Sequence, residues 1–343
     1  MRIPVSLQMT CSFIVLAVLV LLAPGNPLLA QNSTEAADGR SLYFSFYFAP
    51  PPTNIAKAAP VYQGLARSDD RGVTWKNLGW ITSAVSGVAV DPVNTTRIVL
   101  ASDYGVLASL DGGESWKLIS AWNMPPVLAV RLRGAEIWAA TARGVFVSSD
   151  HGSQWTARSL GLPSPDGTHV SDLLFTSSAM LAATADGVFR STDNGASWFR
   201  SGLNGEEIFR ITSHPRLSNI LAAVVPDGGI RISTDGGRLW ANRSEALPSR
   251  RIKCAAFDPI EERVLLLGTV DMGVLRSSDL GLTWELSSGG LTNFNITTLL
   301  FDTDKPERVY AGAENGSFVS NNRGKTWSAF SVRLGYISGM EMR

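Results

Sequence analysis

Short runs of apolar and alternating residues, not helical stripes, organise this chain. They come in pairs: SGVAVDP (86–92) with RIVLAS (97–102), VLAVRLR (127–133) with EIWAAT (136–141), and VSDLLF (170–175) with AMLAAT (179–184). IFRITSHP (208–215) precedes NILAAV (219–224), IKCAAFDP (252–259) precedes RVLLLGT (263–269), and ITTLLFDTD (296–304) precedes RVYAG (308–312). Runs of this length, rich in β-branched residues and bounded by turn formers, predict strands. Asp91-Pro92, His214-Pro215, Asp258-Pro259 and Lys305-Pro306 fall inside four of the pairs, where Pro sets φ and cannot continue a ladder. Beyond residue 30 no segment sustains a helical period.

After each pair comes one more short run and then a near-constant octet. SDDRGVTW ends at Trp75, SLDGGESW at Trp116, SSDHGSQW at Trp155 and STDNGASW at Trp198. STDGGRLW ends at Trp240, SSDLGLTW at Trp284 and SNNRGKTW at Trp327, so the tryptophans are 41, 39, 43, 42, 44 and 43 residues apart. Such a period is the mark of a propeller or solenoid. The octet reads as a strand–turn–strand corner. Asp193 can fold its carboxylate onto main-chain N–H groups ahead of it, helped by Ser191, and Gly195 supplies a positive φ. Asp70, Asp111, Asp150, Asp235 and Asp279 repeat the role of Asp193, and Asn322 stands in the last copy. Trp198 opens the next strand with a side chain large enough to fill the space between sheets. Burying it is worth about 4–6 kcal/mol at ~25 cal/mol per Å².

Each unit therefore holds four antiparallel strands, A and B from the pair, C and D from the hairpin around the octet. That is a propeller blade. The first octet is preceded only by YFSFYF (43–48) and VYQGLAR (61–67), so its blade lacks strand A, while YISGMEMR (336–343) matches an A strand with nothing after it. Ring closure follows: the last strand completes the first blade, giving a seven-bladed, all-β propeller over residues 41–343 and leaving no free sheet edge at the seam.

Composition bounds the rest. Arg2 is the only charge before FIVLAVLVLLA (13–23), and PLLA leads into polar QNST, so residues 1–30 read as a secretory signal peptide and 31–40 as a short polar leader. Eleven apolar residues ended by Pro24 are too few for a membrane span, which takes about 20. The 30 basic and 30 acidic residues become 29 and 30 on cleavage, a net charge of 29 − 30 = −1. A neutral chain offers no electrostatic footprint for nucleic acid. Cys254 alone survives cleavage, so no intrachain disulfide forms, and a bacterial secreted or periplasmic monomer is expected.

S-x-D-x-G-x-x-W is the pattern of the Asp-box or BNR repeat, and the chain resembles that family over the whole region after residue 40. Members include sialidases, sortilin-type receptors, xyloglucan-degrading glycosidases and photosystem II assembly factors. The Asp-Pro turns followed by Arg-Val or Arg-Ile look most like the last three. A single ring of this length behind a signal peptide is most similar to the assembly-factor layout, which implies protein binding and no catalysis. In none of these families are the octets catalytic, so the resemblance assigns Trp75, Trp116, Trp155, Trp198, Trp240, Trp284 and Trp327 a structural role.

Strand alternation places the octets and the A–B turns on one face, and the D–A and B–C loops on the other, around the channel mouth. Function is expected at that mouth. The candidate binding residues there are Trp80 and Trp122 in equivalent D–A loops, His169, Glu207, Arg251, Phe294 and Tyr336. An aromatic surface of this kind suits a protein hot spot or sugar stacking. Asp186, Asp227 and Asp271 recur before glycines in the B–C loops, as turn residues or as an acidic rim. A sialidase would carry an Arg-Ile-Pro segment before its first Asp-box; none occurs after residue 30, where the only echo is FRIT (209–212). Arg131, Arg133, Arg210 and Arg251 are not spaced so as to demand convergence. Glu206, Glu207, Asp166 and Asp227 could serve a glycosidase, which needs two carboxylates at a set separation. His151, His169 and His214 stand on separate elements, so no metal and no cofactor is expected. The favoured function is binding of a protein partner through the mouth; the alternative is a carbohydrate-active protein using the same face.

Overall fold

The computed structural model describes residues 40–48, 62–80, 85–121, 123–163, 169–330 and 335–343. The signal-peptide reading of 1–30, almost all of the leader and Trp122 fall outside the described residues, and of Trp80 only the main chain is described. Seven four-stranded antiparallel sheets form the ring, and no helix occurs among the described residues. Blade 1 is built from Tyr336–Met342 as strand A, then Leu42–Phe48, Tyr62–Ser68 and Lys76–Trp80, in the spatial order expected for closure by the last strand. Leu42 pairs with Met342 and Phe46 with Ile337 across the seam. The A strands of blades 2 to 7 are Val85–Val90, Val127–Arg133, Val170–Phe175, Arg210–Ser213, Ile252–Phe257 and Ile296–Phe301. Core clusters alternate around the ring between neighbouring sheets: Trp138, Leu173 and Trp198 join blades 3 and 4, and Tyr43, Leu65, Val88 and Leu100 join blades 1 and 2.

The octets fold as their residue types require. In blade 4 the Asp193 carboxylate accepts from Ser197 N at 2.9 Å and from the Ser191 hydroxyl at 2.7 Å, while Ser191 Oγ accepts from Gly195 N at 2.8 Å. The Ser197 hydroxyl and N–H hold the Asp193 carboxyl down at about 2. One feature was not legible. The residue before the glycine is also left-handed in every copy, with φ 57° at Asn194 and 55° at Arg71, and blades 2 and 5 place Gly112 and Gly236 there.

Trp198 does more than fill space. It lies just before strand D, which starts at Phe199 and runs only two residues, where the sequence had suggested that the tryptophan opens the strand. Its indole Nε1 donates to the Arg158 carbonyl of the preceding blade at 2.8 Å. The same bond recurs from Trp116 to Leu78, Trp155 to Ile119, Trp240 to Ser201, Trp284 to Arg243 and Trp327 to Ser287, at 2.6–3.1 Å. At the seam Trp75 donates within its own loop to Gly72 and packs against Phe44 and Phe330 instead. On the same rim octet residues clasp A–B corners: Arg71 of blade 1 holds Asp302 of blade 7 at 3.0 Å, and Arg323 of blade 7 lies 3.5 Å from Asp258 of blade 6.

At five A–B corners one side-chain acceptor takes two successive N–H groups, the Thr176 hydroxyl doing so in blade 4 with Ser178 N at 3.4 Å and Ala179 N at 3.1 Å. Asp91, Asp258 and Asp302 do so with a carboxylate oxygen, and His214 with Nδ1, which accepts from Arg216 N and Leu217 N at 3.1 Å each. His214 must therefore be the neutral tautomer with the proton on Nε2, a buried atom without a hydrogen-bond partner. Leu280 occupies the octet position that carries Arg in blades 1 and 7, so no cation faces this corner from the octet of blade 6.

Trp198→Ala is expected to cost about 3–5 kcal/mol in urea unfolding, and Trp198→Phe about 1–3 kcal/mol because the buried Arg158 carbonyl loses its donor; a loss under ~0.5 kcal/mol for either would contradict the staple. Burial, with Arg216 adding to it, lowers the pKa of His214, so the unfolded chain takes up the proton first. Stability present at neutral pH is then lost as pH falls below ~6.5. His214→Asn keeps a neutral acceptor and is expected to flatten melting temperature between pH 7 and about 5; a parallel decline in both proteins would refute this account.

Candidate functional site

The mouth is shaped by a bulge near the start of strand A. Register shifts leave Ser338, Ser86, Leu128, Ser171, Lys253 and Thr297 unpaired in blades 1, 2, 3, 4, 6 and 7. Phe209 holds the same place in blade 5, just before Arg210 pairs with Val224. A bulge re-aims the extra side chain. Where that residue is a hydroxyl it often ties to the next blade: Ser86 to Val127 O at 3.0 Å, Ser171 to Ile208 O, and Thr297 to Ile337 O. Blades 3, 5 and 6 carry no hydroxyl here, having Leu128, Phe209 and Lys253.

The next residue of each A strand is Gly339, Gly87, Ala129, Asp172, Arg210, Cys254 or Thr298, and all of these but Ala129, which packs between blades 3 and 4, border a cavity of about 390 Å³. Blades 1 to 3 thus contribute small residues and blades 4 to 6 the chemistry. Asp172, nine-tenths and more buried, accepts from the Arg131 guanidinium and from Leu173 N and Ile211 N. Arg131 is further bound to the carbonyls of Leu173 and Val130. Deeper in the lumen Glu341 pairs with Arg343 at 2.8 Å; burial pushes the Glu341 carboxyl up, against the pull of Arg343 and Arg131. Burial also pushes the Cys254 thiol up to about 12, so it is a protonated packing group and not a nucleophile.

Arg210 differs from its neighbours. Its guanidinium sits 5.2 Å from the Phe209 ring centroid, and among the described residues it pairs with no carboxylate. Lys253 of the next blade, equally without an acidic partner there, lies 5.4 Å from the Tyr336 ring centroid. The Tyr336 hydroxyl is raised by burial and pulled back by the charge of Arg210.

The sequence candidates divide accordingly. Tyr336 is half-buried in this sector. Arg251 lies at the rim, 3.9 Å from both Asp227 and Asp271, and Asp271 also accepts from Ser249 at 2.7 Å. Phe294 is 47% exposed, and its carbonyl accepts from Gly273 N of the adjoining B–C loop. Glu207 is exposed beside Glu206, which is bound to Arg231 at 2.6 Å, and half-buried His169 stands at the foot of strand A of blade 4. Arg131 and Arg210 do reach one cavity, although their spacing did not require it, whereas Arg251 stays at the rim. Phe209, Arg210 and Lys253 were not singled out as binding residues, because strict alternation hides the bulge that turns them toward the mouth. The only trace was FRIT (209–212), read for another purpose.

A ring of Asp-box blades around a polar channel defines the class of BNR propellers. Residues 70–334 match the family model described as photosynthesis system II assembly factor YCF48, and the chain belongs to that family. Among solved structures it is similar to the GH74 enzyme of Niastella koreensis, with TM-score 0.65 and 17% identity over 80% of this chain and 52% of that one. The chain thus spans about half the length of that enzyme. YCF48 bound to a D1 peptide gives TM-score 0.55 and 17% identity over 77% of this chain and 87% of that one. YCF48 from Cyanidioschyzon merolae gives 0.55 and 19% over 72% and 84%. A search of curated proteins found no match.

Asp172→Ala is expected to cost about 3–5 kcal/mol, since it leaves Arg131 uncompensated and two buried N–H groups without acceptors. Arg251→Ala, at the exposed rim, is expected to change stability by less than ~0.5 kcal/mol. Equal losses in thermal unfolding would overturn this division between lumen and rim.

Proposed function

We propose that this propeller is a non-enzymatic scaffold that binds a segment of a partner protein at the channel mouth, and that it does so outside the cytoplasm after loss of residues 1–30. The observation that carries this reading is the family match across residues 70–334, supported by a YCF48 structure of the same fold that holds a D1 peptide. The chemistry of the mouth suits such a role. Exposed Phe294 and the Arg251–Asp227–Asp271 cluster stand on short loops between strands, and half-buried Tyr336 opens strand A of blade 1. Aromatic and arginine side chains at the centre of a face are what protein hot spots are made of.

The GH74 likeness keeps a second reading in view, a carbohydrate-active protein using the same mouth. Against it, the Arg200 guanidinium and the Gly205 N–H hold the Asp186 carboxyl below its usual range, which does not suit a general acid, and Glu206 is engaged by Arg231 at 2.6 Å.

The test is capture from the native source with wild type and with the Phe294→Ala/Arg251→Ala variant. Recovery of the partner is expected to fall at least about tenfold, as for loss of hot-spot contacts. Undiminished recovery would remove the mouth as the partner face, and polysaccharide hydrolysis abolished by Glu207→Gln would replace the scaffold with an enzyme.

A further inference from the structure

Among the described residues, the charges around the lumen are paired except in one sector. Asp172 and Arg131 satisfy each other, as do Glu341 and Arg343. Glu314, the acid whose charge reaches Tyr336, is engaged by Asn295 Nδ2 at 2.9 Å. What remains is the guanidinium of Arg210 and the ammonium of Lys253, on A strands of adjacent blades, each stacked on an aromatic ring and unpaired with any acid among the described residues. Stacking leaves the donor edges of a guanidinium free, and that planar fork matches a carboxylate.

Two further features make this a cradle and not a pair of solvated cations. The bulge positions of blades 5 and 6 carry Phe209 and Lys253, which supply one ring and one cation of this sector, where Ser86, Ser171 and Thr297 instead tie their hydroxyls to the next blade. Gly87 and Gly339 add no side chain to the cavity of about 390 Å³ that Arg210 borders, a volume within the ~300–1,000 Å³ typical of small-ligand pockets.

We propose that Arg210, Lys253 and the Tyr336 hydroxyl form a receptor for a single carboxylate, belonging either to the free end of an extended peptide or to a small organic acid. This rests on the mouth being the partner face and narrows the chemistry recognised there. Arg210 supplies the two-pronged contact, Lys253 a second charge, and Tyr336 a neutral donor across the opening.

The experiment is fluorine NMR of the full chain labelled with 3-fluorotyrosine, the Tyr336 resonance being identified by its loss in Tyr336→Phe. Tri-alanine as the free acid, tri-alanine amide, acetate and inorganic phosphate are titrated in turn. The free acid is expected to move the resonance saturably and the amide not at all. Arg210→Gln is expected to weaken binding at least about tenfold, with partial recovery in Arg210→Lys, as for loss and partial return of a charge-assisted bidentate contact. Free acid at least about tenfold tighter than acetate would identify a peptide end; equal affinity would identify a small acid. Phosphate tighter than every carboxylate, a response to the amide equal to that of the acid, or unchanged affinity in an Arg210→Gln/Lys253→Gln variant that melts like wild type would overturn the proposal. Carboxylate binding that depends on Arg210, alongside partner capture indifferent to Phe294→Ala/Arg251→Ala, would sink the partner-face reading alone. No response to any acid with capture still sensitive to that variant would sink the carboxylate receptor alone.

Discussion

The tryptophan indole that reaches back to a carbonyl of the preceding blade is the contact on which the rest of this structure depends. A four-stranded sheet of this size has two faces to cover and cannot cover them by itself. Six of the seven octet tryptophans answer that need twice, burying aromatic surface between sheets and donating one directional bond that fixes how far each blade turns from the last. The seventh faces the seam and packs against Phe44 and Phe330. Closure there is carried by pairing of the last strand and by the buried Arg71–Asp302 clasp.

With the octet rim committed to holding the ring, the opposite rim is free to vary. That division is physical. The octet carboxylates are each engaged by local hydroxyls and N–H groups, as Asp193 is by Ser191 and Ser197, and so serve the turn that carries them. At the mouth the bulges turn one side chain per blade out of the ladder, and the residue chosen decides whether a blade is sewn to its neighbour or offered to solvent. Ser86, Ser171 and Thr297 sew; Leu128, Phe209 and Lys253 do not.

Much of this was readable along the chain. The tryptophan spacing, the paired runs and the orphan strand at the end specify seven sheets and the way they close, because those are properties of local periodicity and counting. Asp193, Ser191 and Gly195 announce their turn because their chemistry is local. The left-handed residue before the glycine was missed, since Arg71 and Leu280 carry no preference for that conformation and adopt it because the turn imposes it. His214 replacing aspartate as a turn acceptor was likewise invisible, because nothing in a lone histidine says which nitrogen will find two N–H groups.

The candidate site was legible only at its rim. Arg251, Phe294 and Tyr336 follow from loop placement alone. Arg210, Lys253, Asp172 and Arg131 lie within strands that read as ordinary inner strands, and their meeting depends on a bulge and on the rotation between blades. Neither quantity is written in one residue's identity. The sequence by itself determined the repeat, the number of sheets and the corner that each repeat spends on its turn, because side-chain periodicity and turn chemistry act over a few neighbouring residues. Only the tertiary structure decided which charges cancel in the lumen and which stand unpaired, because residues some forty positions apart come within reach of each other only when the circle closes.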